Sequence, residues 1–132
     1  MRDIEAALET DRTIDIVTIG AKTGLRRVTE IWFTNIEGRI VICGTPYAPR
    51  DWLANLKANP RFEFCLKESV ERCVPAEAIP VVDSADRRRI MSAPETSWYR
   101  NQGYSVQQLV DGSPIVDVRF LDEFEVLNSN GR

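Results

Sequence analysis

The sequence predicts a mainly β fold of the α+β class, a barrel of about six antiparallel strands with short helices at its periphery. Three observations lead there. Runs of β-branched and aromatic residues alternate with polar ones at several places between Thr13 and Leu121. Helical spacing occurs only in short stretches, with neither internal repeats nor the regular strand and helix succession of a βαβ array. The length of 132 residues suits one domain over residues 1–132. An open antiparallel sheet satisfies the same pattern.

Ile4, Ala7 and Leu8 stand at i, i+3 and i+4, the apolar face of a short helix. From Thr13 to Gly20 the isoleucines alternate with Asp15 and Thr18 as a strand. Val28 to Thr34 is a second strand, Asn35 to Gly38 a turn, and Arg39 to Cys43 a more apolar third strand, so that Val28 to Cys43 reads as a hairpin. Trp52, Leu53 and Leu56 mark one face of a helix from Pro49 to Asn59, with Pro49 suited to the first helical position and Pro60 ending it. Phe62, Phe64 and Leu66 form the next strand. Val70 to Val82, interrupted by Pro75 and Pro80, suits an edge or bulged strand. Asp83 is the expected N-cap of a helix whose Arg87, Arg88 and Arg89 face solvent. Residues 93–112 show no clear period. Ile115 to Leu121 is the last strand, with Phe124 to Leu127 as its extension, and Asp122, Glu123 and Glu125 on the surface.

Composition narrows the chemistry. Lys and Arg total 17 against 20 Asp and Glu, a net charge of −3, which argues against holding a nucleic acid through counterion release. No histidine is present, which removes Ser-His-Asp and Cys-His pairs, imidazole acid–base catalysis and His-ligated metals. Cys43, Cys65 and Cys73 include no C-x-x-C pair, so no metal site is expected; burial in strands of a protein from a reducing compartment is their simplest reading. No stretch approaches the ~18 apolar residues of a membrane span. The expectation is a cytoplasmic protein whose demanding chemistry, if it does any, comes from a bound cofactor.

Two segments suit such a ligand. Gly20-Ala21-Lys22-Thr23-Gly24-Leu25-Arg26-Arg27 places three cations, a hydroxyl and two glycines between strands. Backbone N–H groups, a hydroxyl and forked guanidinium groups together can cradle an oxyanion. The order differs from a P-loop, since Lys22 precedes Gly24 and a strand follows. An ordinary solvated turn is the alternative. The second segment, Gly44 to Trp52, leads into a helix N-terminus whose unpaired N–H groups suit anions. Trp52 can cover a planar ligand or dock the helix, and Asn55 one turn on can orient the loop.

These segments resemble the deazaflavin-dependent nitroreductase family, within the split β-barrel flavin/deazaflavin oxidoreductases of pyridoxamine-phosphate-oxidase type. Residues Gly20 to Arg27 are similar to the family's G-x-x-S/T-G-x-x-R phosphate loop. Trp52-Leu53-Ala54-Asn55-Leu56-Lys57-Ala58-Asn59-Pro60, with Pro49 before it, is similar to its more specific helix motif. The match runs over residues 13–67, with a weaker echo at Gly112 to Val118. It implies a split barrel in which Lys22, Thr23, Gly24 and Arg27 hold the phosphate or oligoglutamyl-lactyl tail of 8-hydroxy-5-deazaflavin (coenzyme F-420), while Arg26 either assists or faces away. It further implies that Thr45, Pro49, Arg50, Trp52 and Asn55 belong to the cofactor site, the loop from Thr45 to Trp52 lying along the ring.

The implied reaction is hydride transfer from the reduced cofactor to a small hydrophobic acceptor such as a quinone, enone or nitro compound. Where many relatives have a Ser-Lys pair before Gly-Gly, this chain has Thr45-Pro46-Tyr47-Ala48, so FMN stays the alternative cofactor. Trp98, Tyr99 and Tyr104 suit either a substrate lid, with Tyr99 or Tyr104 as proton donor, or ordinary packing. The resemblance leaves a homodimer open, because FMN barrels are commonly dimers and deazaflavin relatives include monomers. A non-catalytic flavin- or deazaflavin-binding protein and a barrel binding another phosphate ligand are the competing readings.

Overall fold

The structure, a computed structural model, describes residues 1–128. Helix α1 spans Arg2–Thr10 and buries Ile4, Ala7 and Leu8, the face anticipated from their spacing. The strands are β1 Thr13–Ile19, β2 Arg26–Trp32, β3 Thr34–Ile36, β4 Arg39–Cys43, β5 Arg61–Leu66, β6 Arg72–Pro80 and β7 Ile115–Phe120. They form a seven-stranded sheet in the order β2-β1-β5-β6-β7-β4-β3, with the pairings antiparallel.

The two outer strands in that order, β2 and β3, are consecutive in the chain and separated by Phe33 alone. The chain itself therefore joins the two edges, and the sheet must curl into a barrel. Phe33 is buried, its N–H donates to the Arg12 carbonyl at 2.9 Å, and its ring meets Phe64 edge-on at 5.3 Å. This corrects the expected Val28 to Cys43 hairpin. Only Thr34–Ile36 pairs with β4, through a turn in which Glu37 and Gly38 have φ of 51° and 92°, the backbone that a two-residue hairpin needs. β2 instead pairs with β1, because sinking Phe33 into the core turns the strand away from its hairpin partner.

β6 is not an edge strand, for it lies between β5 and β7. Its prolines are tolerated by position. The ladder with β7 begins at Ala76 opposite Phe120, so Pro75 stands past its end and accepts only the Leu121 N–H at 3.0 Å; Pro80 is the last strand residue. Inside the barrel Phe64 contacts Phe33 and Phe120 edge-on amid Ile14, Ile16 and Phe62. A second cluster, with Val41, Cys43, Met91, Tyr99 and Leu109, joins the sheet to the helices that follow β6.

Helix α2 covers Asp51–Ala58, with Arg50 rather than a residue before Pro49 as its N-cap. α3 covers Ser84–Ser92, where Asp83 Oδ2 accepts the Asp86 N–H at 2.9 Å. The arginine run is not wholly a solvated face: Arg87 donates to the carbonyls of Val81, Val110 and Ser113, tying α3 to the chain before β7. Residues 93–112 resolve into a 3₁₀ turn Pro94–Thr96, α4 Ser97–Arg100 and α5 Val106–Gly112, the last opened by a Ser105/Gln108 capping box. The expected extension of the last strand is instead a 3₁₀ segment, Asp122–Asn128, whose three-residue spacing sends Phe124 and Leu127 to the core.

Cys65 and Cys73 face each other across β5 and β6 as a disulfide, which replaces the expected reduced, buried pair; Cys73 is exposed. Cross-strand register brings them together, a relation invisible in their spacing. Cys43 is free and buried. Among the described residues no helix is long and apolar enough to cross a membrane.

Candidate functional site

The connection from β1 to β2 folds on itself. Gly20 N–H donates to the Leu25 carbonyl at 2.7 Å, Gly24 N–H to the Gly20 carbonyl at 2.9 Å, and Leu25 N–H to Thr23 Oγ1 at 3.2 Å. Gly24 takes a φ of +71°, and a Cβ at Gly20 would lie 2.6 Å from Thr23 Oγ1, so both glycines are required by the loop's shape. Asn55 braces it from α2: its Oδ1 accepts the Ala21 N–H at 2.9 Å and its Nδ2 donates to the buried Thr18 Oγ1 at 3.2 Å.

A cavity of about 480 Å³ opens beside this loop, lined by Lys22, Thr23, Arg27, Thr29, Asp51 and Asn55 among others. The side chains of Lys22 and Arg27 have no hydrogen-bond or ion-pair partner among the described residues. Most other cations near the site are engaged. Arg26 is 67% exposed on the opposite face of β2 and pairs with Glu63 at 2.9 Å, as strand alternation requires of Arg27's neighbour. Of the two dispositions open to Arg26, it faces away.

A second cavity, about 280 Å³, is lined by Trp32, Gly44, Thr45, Arg50, Trp98 and Tyr99, with Glu30, Ile31 and Cys43. It lies farther along the same two elements and shares no lining residue with the first. β2 supplies Arg27 to Thr29 to one and Glu30 to Trp32 to the other, and Arg50 and Asp51 at the start of α2 divide between them in the same order. Trp98 meets Trp32 edge-on at 5.3 Å and Tyr99 at 5.1 Å, while the Arg12 guanidinium lies 4.1 Å over the Trp32 ring. Arg50 donates to Thr45 Oγ1 at 2.7 Å and to the Ala48 carbonyl at 2.9 Å, so its guanidinium shapes the loop behind the cavity. Tyr99 donates its hydroxyl to the Cys43 carbonyl at 3.2 Å; burial pushes that phenol well above its ordinary range and the Cys43 thiol up to about 12.

Residues 4–119 match the family described as F420H(2)-dependent quinone reductase. The chain belongs to this family. No curated protein matches it. Among solved structures, a conserved hypothetical protein of Mycobacterium tuberculosis is 22% identical with a TM-score of 0.61, the match covering 96% of this chain and 86% of that one. A structure described as an F420 reductase is 18% identical, TM-score 0.58, over 89% and 93% of the two chains. A pyridoxamine 5'-phosphate oxidase-like protein of Listeria innocua is 12% identical, TM-score 0.65, over 92% and 93%. These likenesses share the split-barrel fold.

Within this F420H(2)-dependent quinone reductase family member, several anticipated site residues lie elsewhere. Trp52 is 8% exposed, packs in the barrel core and lines neither cavity, because the apolar face of α2 must cover β1. Of the loop from Thr45 to Trp52, Thr45, Arg50 and Asp51 face the cavities. Tyr47, Ala48 and Pro49 line a separate cleft on the far side, where Tyr47 N–H donates to the Gly112 carbonyl at 3.2 Å. Tyr104 packs against the second core cluster and lines neither cavity. Trp32, Glu30 and Asp51 line the cavities although sequence reasoning passed over them. Trp32 ends a strand where its size signals nothing, and Glu30 reads as a surface carboxylate, which it also is, paired with Lys67 at 2.5 Å.

Proposed function

We propose that this protein is a deazaflavin-dependent oxidoreductase that binds reduced coenzyme F-420 and passes a hydride to a small hydrophobic acceptor such as a quinone, enone or nitro compound. The observation that carries the reading is the pair of unpartnered cations, Lys22 and Arg27, in a cavity beside the β1–β2 loop, with a second cavity walled by Trp32, Trp98 and Tyr99 farther along β2. Family membership supports it.

The residues fit the group. Lys22, Arg27 and the Thr23 hydroxyl offer charge-assisted and neutral donors to a phosphate, contacts that are shorter and stronger than those between neutral groups. Gly44 is held against Arg50 and Pro114, where a Cβ would lie 2.9 Å from each, so its lack of a side chain lets the loop that carries Thr45 pack closely at the second cavity. When bound, the reduced deazaflavin supplies the hydride, and the acceptor takes its proton from water. Trp98 and Trp32 give the second cavity an aromatic wall for the acceptor. The absence of histidine does not weaken this assignment, since hydride transfer from a cofactor depends on positioning.

The test is a fluorescence titration of the purified protein with coenzyme F-420 and, separately, FMN at fixed salt, repeated on Lys22→Ala with Arg27→Ala. Binding of the deazaflavin that weakens by more than about tenfold in the double variant, with an unchanged unfolding midpoint, is the expected result. Turnover of quinones, enones or nitroaromatics then identifies the acceptor. Unchanged affinity in the double variant removes the phosphate assignment, and a preference for FMN moves the protein to the flavin-using relatives.

A further inference from the structure

Strand alternation gathers three metal-ligating groups on the outer face of β5 and β6. Phe62, Phe64 and Leu66 belong to the core, so Glu63 and Cys65 between them turn outward, and register sets Cys73 directly opposite Cys65. The Glu63 carboxylate and the Cys65 and Cys73 sulfurs lie within 4.8 Å of one another. Glu63 Oε2 accepts from Arg26 at 2.9 Å, and the other carboxylate oxygen has no partner among the described residues. Opposite Glu63 stands Pro75, which brings neither charge nor ligand. The cations on either side are committed elsewhere, Lys67 to Asp15 and Glu30 and Arg72 to Asp3.

While the two sulfurs are bonded to each other, neither is a thiolate ligand. We propose that reduction of the Cys65–Cys73 disulfide turns this patch into a binding site for one thiophilic divalent cation of the zinc type, held by the two thiolates and Glu63 with water in the fourth position. The donor set is one that zinc takes, with sulfur at about 2.3 Å and carboxylate oxygen at about 2.0 to 2.2 Å. Tetrahedral coordination at those lengths spaces the two sulfurs about 3.8 Å apart, a separation that side-chain rotation reaches once the bond is open. Arg26 then supplies the outer hydrogen bond that orients a ligating carboxylate. The cation joins β5 to β6 where the covalent bond stood, so reduction exchanges one cross-link for another. Cys73 is exposed, so a reductant reaches the bond. With a phosphine the step balances: the phosphine takes the oxygen of one water to become its oxide, two electrons pass to the disulfide, and the two hydrogens of that water complete two thiols. The cation then displaces both thiol protons. None of the three residues lines either cavity of the candidate cofactor site, so the inference stands apart from that reading.

The experiment reduces the full-length protein with a phosphine, removes the phosphine without air and titrates with Co²⁺. Thiolate ligation of this ion shows as a charge-transfer band, and four-coordination as strong d–d bands. Both are expected at one Co²⁺ per chain, to be abolished by Zn²⁺, and neither in the oxidised protein. Glu63→Gln, at a partly exposed position, should keep the charge-transfer band and weaken Co²⁺ binding by about tenfold or more. The Cys65→Ser, Cys73→Ser double variant retains Cys43 and should show no such band. Zn²⁺ should raise the unfolding midpoint of the reduced protein and leave that of the oxidised protein unchanged. A reduced protein without the thiolate band, a band that survives in the double serine variant, or an affinity that Glu63→Gln leaves unchanged overturns the site. So does a reduced chain that loses its fold and does not regain it with Zn²⁺.

Discussion

Asn55 Oδ1 accepts the Ala21 N–H at 2.9 Å, tying the second turn of α2 to the loop that presents Lys22 and Thr23. The same side chain donates to Thr18 Oγ1, which is completely buried. Asn55 is thus a positioning residue whose amide completes the bonding of the buried Thr18 hydroxyl and of the Ala21 N–H in the exposed loop. Replacing it with alanine leaves both unsatisfied, at an expected cost of about 1 to 3 kcal/mol in urea unfolding, together with weaker cofactor binding. Asn55→Asp keeps the acceptor for Ala21 but loses the donor to Thr18 and places a carboxylate at a buried position, so it too costs stability, and its negative charge near Lys22 and Arg27 weakens binding more than Asn55→Ala does. Full affinity in Asn55→Asp would show that the cavity does not hold an anion.

Acid should weaken the fold through one side-chain network. Arg39 donates to both oxygens of Asp86 at 2.7 and 2.8 Å and to both of Asp117 at 2.7 and 2.9 Å, joining β4, α3 and β7. The hydrogen bond from Arg39 chiefly holds the Asp86 carboxyl below its ordinary value of 3.8. A carboxyl depressed by folding contributes stability that is fully present above 3.8 and is lost as pH falls through its lower folded value. Asp86→Asn should therefore cost about 1 to 2 kcal/mol at pH 7 and make the decline below pH 4 shallower, both read from unfolding curves at a series of pH values. Parallel curves for the two proteins at every pH would assign acid sensitivity to other carboxylates.

Thiol counting tests the cysteine arrangement directly. Cys43 is 4% exposed and its thiol is pushed up to about 12, while Cys65 and Cys73 are joined. A maleimide at pH 7 is expected to label no cysteine in the native protein, Cys43 alone after unfolding without reductant, and Cys43, Cys65 and Cys73 after unfolding with reductant. Labelling of Cys65 and Cys73 without reductant would show the pair to be open.

The features legible in the sequence are those set by local periodicity and local chemistry. Ile4, Ala7 and Leu8 announce α1, Phe62 and Phe64 announce β5, and Asp83 is the cap it resembles, because each depends on residues within a turn or two. Pairing is different. Nothing near Phe33 says that one buried ring divides a strand between opposite edges of a sheet, nor that Cys73 will register against Cys65. The same blindness explains the site. Lys22, Thr23 and Arg27 stand together because they share one short connection, so sequence proximity was enough. Trp52 and Trp32 were separable only by which side of their elements meets the core. α2 turns Trp52 inward, whereas β2, with Val28 67% exposed, leaves Trp32 at the cavity.

The aromatic-walled cavity yields the last prediction. Trp98 is 37% exposed and meets Trp32 and Tyr99 edge-on, so Trp98→Ala should lower the unfolding midpoint modestly while removing one wall of the cavity proposed for the acceptor. The expected effect is a KM for the acceptor raised about tenfold, consistent with losing one apolar contact surface, and a smaller change in kcat. Tyr99 is the necessary comparison, since it lines the same cavity but gives its hydroxyl hydrogen to the Cys43 carbonyl and is held protonated by burial. Its hydroxyl hydrogen is directed to the Cys43 carbonyl. Tyr99→Phe should then cost stability through the unpaired Cys43 carbonyl yet lower kcat less than about threefold, whereas a tyrosine acting as general acid would cost about 10² to 10⁴. Steady-state kinetics of the two variants with a quinone acceptor distinguish these roles: a loss of the larger size in Tyr99→Phe would make Tyr99 the proton donor and require its hydroxyl to leave Cys43 when the acceptor binds.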